Sequence, residues 1–265
     1  MPDWASGGGL KIERAKEHIS EFEADSRAFL QANPYFGVSQ FDQTQGRLTF
    51  VVRGPNQIPP RLSSVAADAV QNLRSSLDIL WHRVWAPETA KARKVYFPMF
   101  ENPHALETRF KGVKEASQKA AVDILRRAKP YKSGNKPLYD LFEIAPRDRH
   151  ETPVLSVAAY NKIIFALPPN VTYRGKRGLQ FHFTPLDASG AVVHLFLKDG
   201  APLPMDISVE TTGGPVVEVK CQLPADIAFG EGEILEGEPV PKTLHEFLDV
   251  TNAIVEAFRL AGLVS

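Results

Sequence analysis

Arg74, Asp78 and His82 recur every fourth residue in the stretch QNLRSSLDILWHRVW, residues 71–85. That spacing puts all three on one side of a helix. The residue types suit metal-independent cleavage of RNA. A histidine can move the proton of a 2′-hydroxyl, and an arginine can steady the charge that develops on the phosphorane. A second polar cluster, Arg147, Asp148, Arg149 and His150, stands further along the chain. The same residue types on a helix flank also form ion pairs or a packing face. Asp78 is four residues from both Arg74 and His82, so it is spaced to pair with either for about 0.2–0.5 kcal/mol.

The element that must position the first row is a helix predicted over about Arg61–Val84. Leu62, Val65, Ala66, Ala69, Leu73, Leu77, Leu80 and Val84 fall on one stripe at the helical period. Arg74, Asp78 and His82 lie roughly 100–180° from the centre of that stripe. Trp81 and Trp85 flank the row and need cover, which predicts a secondary packing face there and not a catalytic row.

An earlier helix is predicted over Lys11–Ala32, with Ile12, Ala15, Ile19, Phe22, Ser26, Phe29 and Leu30 on one side and Pro34 as its stop. Alternation on both sides of DQTQG predicts a β-hairpin at about residues 36–52, turning at Gly46. VYFPMFENP reads as an extended connector. A third helix follows over about His104–Ala128, interrupted or reset near Gly112, and a fourth over about Pro137–Ile144. Beyond residue 152, short β-rich runs separated by Gly, Pro, Asp and Ser predict an antiparallel sheet. TLHE reads as a capping box, with Thr243 at the N-cap and Glu246 at N3. It opens a final helix striped by Leu244, Phe247, Leu248, Thr251, Ile254, Val255 and Phe258 and ended by Gly262. The expected fold is α+β: an N-terminal helical layer with a β-hairpin, then a C-terminal antiparallel sheet closed by an amphipathic helix. Residues 1–10 read as a disordered tail. Residues 11–265 read as one compact domain, helical over 11–152 and β-rich over 153–265.

Lys plus Arg and Asp plus Glu both number 31, so the whole chain has no electrostatic preference. The parts differ. Lys91–Lys136 holds 12 basic and 4 acidic residues, and Ala201–Ser265 holds 3 basic and 11 acidic. The basic stretch is the expected place for any nucleic acid, through Arg126, Arg127, Lys129, Lys132 and Lys136, with Tyr131 available to stack on a base. The simpler reading is that the two parts attract each other within one fold.

Cys221 is the only cysteine, so no intrachain disulfide can form. No run approaches the roughly 18 apolar residues of a membrane span. The N-terminus lacks the basic and apolar regions of a signal peptide. A cytoplasmic protein without membrane contact is expected. Phosphate-loop, dinucleotide, G-x-S-x-G and H-E-x-x-H motifs are missing, so nucleotide, hydride-transfer, α/β-hydrolase and zincin chemistry lack support. His18 with Glu21 and His104 with Glu107 are read as solvated helix faces, and no metal or cofactor is expected.

SSVAADAVQNLRSSLDILWHRVW, FPMF, LRRAKPYKSGNKPLYDLFEIAPRDRH and ADIAFGEGEILEGEPVPKTL together resemble a family of uncharacterised bacterial proteins. That family carries an NLRSALDH-type helix and a DKHR-type segment. The resemblance implies interest in Asp68, Asn72, Arg74, Ser75, Asp78, Asp148 and His150, and it implies that the segment Asp148–His150 covers the row on the second helix. Ile79 and Arg149 stand where the family pattern has histidine and lysine. The helix also resembles, faintly, that of the HEPN ribonucleases, whose signature is Arg, four to six residues, then His. From Arg74 the next histidine is His82, with seven residues between. The leading expectation is a protein acting through binding or interaction. The alternatives are a HEPN-like ribonuclease using Arg74 with His82 or His150, and an RNA-binding module without chemistry.

Overall fold

The computed structural model describes residues 5–32, 36–42, 47–53, 58–85, 95–145, 155–159, 179–182, 191–197, 216–217, 225–230 and 233–264, with side-chain detail over 7–32, 58–85, 95–145, 155, 226–230 and 233–264. Six α-helices organise it: α1 (Leu10–Ala32), α2 (Pro60–Trp85), α3 (Pro103–Arg109), α4 (Ala116–Ala128), α5 (Lys136–Ile144) and α6 (Val240–Leu260).

The apolar stripes predicted on α1, α2 and α6 face one another. Ile12, Ile19 and Phe22 of α1, Leu73, Leu77 and Leu80 of α2, and Leu244, Phe247 and Phe258 of α6 are all buried in a single core. Polar staples tie α1 to its neighbours. Arg61 of α2 pairs with Glu21 and with Asp25 (2.8 Å), and His245 Nε2 lies 2.8 Å from Glu23 Oε1. Ahead of α1, Ala5–Gly9, read as part of the tail, winds into a π-helical turn against α2. A Cβ on Gly7 would stand 3.1 Å from the Arg83 guanidinium, so the missing side chain is what lets the backbone come this close.

The α+β expectation is overturned. Of the residues with side-chain detail, 71% are helical, and no antiparallel sheet is seen among them. Among the residues with side-chain detail, the strand that enters the core is Ala225–Phe229. Ile227, Ala228 and Phe229 are buried in succession, so both faces of this strand are covered, unlike the half-buried alternation of a solvent-facing sheet. The final helix does not close a sheet. Its stripe packs on α1, α2, α4 and α5, because four other apolar helix faces need the same cover. The predicted hairpin keeps its backbone pairing, Phe36–Asp42 against Arg47–Arg53. Its turn at Gly46, and most of the β-rich runs read after residue 152, lie outside the described residues.

Of two local expectations, one holds and one changes. The third predicted helix breaks near Gly112 as read, into α3 and α4, and the φ of 86° at Gly112 lies in the left-handed region that favours glycine. The capping box is not used. The last helix begins four residues earlier, at Val240 with Pro239 as its N-cap, and Pro241 stands in its first turn, where the missing N–H costs nothing. Thr243 Oγ instead donates to the Pro239 carbonyl at 2.9 Å. Gly262, with φ 67°, ends the helix as read, its N–H donating to the Arg259 carbonyl at 2.9 Å.

Candidate functional site

On α2 the predicted row separates into two parts. Arg74 and Asp78 are largely covered, with side chains 16% and 15% exposed, whereas His82 is exposed. The Arg74 Nε stands 3.8 Å from Asp78 Oδ2, so the expected pairing is present, although too long for a hydrogen bond. The guanidinium carbon sits 5.3 Å from the centre of the Phe142 ring on α5. Asp78 Oδ1 accepts the backbone N–H of Phe97 at 2.9 Å. Arg74 Nε and Nη1 are buried without a hydrogen-bond partner among the described residues.

The cover over this row is aromatic. Trp81 stacks on Trp85 at 4.9 Å and meets Phe97, Phe110 and Phe258 edge-on at 6.1, 5.9 and 6.4 Å. Phe97 in turn lies 5.5 Å from Phe142. The secondary packing face is therefore made by the connector after α2 and by α5. Asp148 and His150, expected to cover the row, lie outside the described residues, as do Arg147 and Arg149. Neighbours on α2 are also occupied: Asn72 Nδ2 donates to the Asp68 carbonyl at 2.8 Å and its Oδ1 accepts from Lys11 at 3.1 Å. Phe97 and Phe142 were not singled out from sequence. The crowded aromatics of VYFPMF, read only as an extended connector, were the available signal.

The basic segment also divides. Arg126 donates from Nε and Nη2 to the Glu107 carboxylate at 2.8 and 2.7 Å, and from Nη1 to Asp123 at 2.6 Å. These bonds raise its already high pKa, the Glu107 bond first. The same bond holds the Glu107 carboxyl below its ordinary range. Lys136 is tied to the nearly buried Asp140 at 2.5 Å. Arg127, Lys129 and Lys132 are exposed and have no ion pair among the described residues. Arg127 stands in the last turn of α4, and the other two lie on a braced loop that follows it. Lys129 adopts a left-handed cap, φ 53°, and its carbonyl accepts from the N–H groups of Tyr131 (2.8 Å) and Asn135 (3.0 Å). Tyr131 is half-buried, and a Cβ on Gly134 would meet its ring at 2.7 Å, so the ring packs on its own loop.

His18 departs from the solvated face expected of it. Its side chain is 15% exposed, with Nδ1 3.6 Å from Glu21. His104 is exposed as read. Among the described residues no three His, Cys, Asp or Glu side chains converge as metal ligands, and no helix is long and apolar enough to cross a membrane. The chain matches no protein-family model, no curated protein and no solved structure.

Proposed function

We propose that this protein acts by binding and not by breaking bonds. The supporting observation is how Arg74 and Asp78 are used. The guanidinium lies against Phe142 and near Asp78, and Asp78 holds the Phe97 N–H, while His82 sits apart on the exposed flank. A ribonuclease built on Arg74 and His82 needs both groups at one phosphate, in hydrogen-bond reach of the reacting atoms. A cytoplasmic location belongs to the same reading, supported by a single cysteine and no disulfide framework.

The test is a cleavage screen on RNA and DNA, with and without chelator. The control is a His82→Ala, His150→Ala double variant. The wild type is expected to cleave no faster than the control. Metal-independent cleavage that a folded Arg74→Ala variant loses would overturn the reading.

A second reading, an RNA-binding module, is favoured by the exposed cations Arg127, in the last turn of α4, and Lys129 and Lys132, on the braced loop after it. Cations of this kind track a phosphate backbone and make binding salt-dependent. Reversing the three charges should abolish retention on heparin, and the purified wild type should carry nucleic acid visible in its absorbance ratio. Unchanged retention would remove this reading.

A further inference from the structure

Between α3 and α4 lies an open groove of about 610 Å³, within the roughly 300–1,000 Å³ common for small-molecule sites. The turn at Gly112, with its positive φ, separates the two helices and opens the groove. The floor is apolar: Phe110 and Val122 are buried, and Val113 is half-buried. It is also stiff, because the Phe110 ring is wedged against Trp85 at 5.0 Å and Phe100 at 5.8 Å.

The charges in this groove are unevenly spent. Its two carboxylates, Glu107 and Asp123, are both engaged by Arg126. Lys111 and Lys119 also line the groove, are exposed, and have no ion pair among the described residues. Three cations thus stand against two anions, and the two ammonium groups are the ones left for a ligand. Arg126 adds something else. Three of the five guanidinium N–H groups are committed to Glu107 and Asp123, which holds the plane in place. A fixed guanidinium offers a flat face for an aromatic ring. Because it is already ordered, a ligand stacking on it does not bear the entropy of immobilising it.

We propose that this groove binds a small organic anion with a flat apolar body. The ring lies over Phe110, Val113 and Val122 beside the Arg126 plane, and the acid group, a carboxylate, sulfonate or phosphate monoester, lies between Lys111 and Lys119. The proposal rests on the binding reading and names a ligand class for it. None of the residues that line the groove lies on α2, so its failure and the failure of that reading are separable: the cleavage screen decides the one, the groove decides the other.

The experiment titrates the full chain with anilinonaphthalene sulfonate, followed by fluorescence, and with uncharged N-phenylnaphthylamine as the same body lacking the acid. Saturable binding of the sulfonate is expected. Lys111→Glu with Lys119→Glu should weaken it by about tenfold or more, the loss of a charge-assisted contact. Arg14→Glu with Lys16→Glu makes the same change of net charge on the exposed side of α1 and should leave binding intact. The neutral dye should bind more weakly than the sulfonate. Circular dichroism and the melting midpoint establish that each variant is folded. If the double reversal unfolds, Lys111→Gln and Lys119→Gln singly carry the same test. Absence of saturable binding, equal affinity for the neutral dye, or equal loss in the α1 variant would each overturn the proposal.

Discussion

Arg74 and Arg126 are both arginines facing carboxylates, and the fold uses them in opposite ways. Arg126 makes three short hydrogen bonds to two carboxylates and remains 45% exposed. Arg74 approaches one carboxylate no closer than 3.8 Å, leaves two buried nitrogens unpartnered, and is 16% exposed. The better-bonded arginine is expected to be the less important one for stability. Water competes for each bond Arg126 makes, whereas nothing replaces what is lost around Arg74. Good local geometry and energetic weight are separate properties, and burial decides the second.

The largest expected effect falls on the buried side. Trp81 is 2% exposed and central to the aromatic cluster that covers Arg74 and Asp78. Trp81→Ala should cost about 3–5 kcal/mol in urea unfolding. A cost below about 1 kcal/mol would show that the cluster is not a true core. Next is Asp78→Ala, which removes the carboxylate that faces Arg74 and the acceptor for the Phe97 N–H. It should cost about 1–3 kcal/mol. Arg74→Met should cost less than Asp78→Ala, because it removes a cation with unpartnered nitrogens and leaves an apolar chain against Phe142. If the methionine variant is the less stable of the two, the account of Arg74 as an under-bonded buried cation fails.

On the exposed side, Arg126→Ala should shift stability by no more than about 1 kcal/mol despite its three hydrogen bonds. A larger loss would erase the contrast between the two arginines. His82→Ala should stay within about 0.5 kcal/mol in the same measurement.

The smallest effect is one of pH. The Arg126 bond holds the Glu107 carboxyl below its ordinary value of 4.5. A depressed carboxyl stabilises the fold above its unfolded pKa, and that contribution is lost as the pH falls through the lower, folded value. Comparing urea midpoints of wild type and Glu107→Gln, the difference should be constant near neutral pH and shrink only below about pH 4.5. A difference that shrinks between pH 6 and 8 would point to a histidine instead.

What the sequence determined by itself is the set of helices and their inward faces. α1, α2 and α6 carry stripes with the helical period over many turns, and such stripes survive any arrangement that buries them. The Arg74–Asp78 pairing was legible for the same reason, since a spacing of four is a local property of one helix. Placing that row off the main stripe, as a second packing face, needed only the rotation per residue. The glycines at 112 and 262 were readable too, as breaks where a positive φ is required.

Only the tertiary structure decided what each face meets. Nothing local in VYFPMF says that Phe97 donates its N–H to Asp78, nineteen residues away, or that Phe142 of α5 lies under Arg74. Arg126 is four or more residues from every acid except Asp123, so its clamp by Glu107 appears only when Gly112 turns α3 back along α4. The fold class failed for a related reason. ADIAF was not among the runs from which the sheet was expected, since Asp and Ala are poor strand formers, and its burial on both faces depends on which helices cover it. Here α1 and α6 do. Periodicity reports which side of an element turns inward, and the partner on the other side of the contact is set by long-range packing.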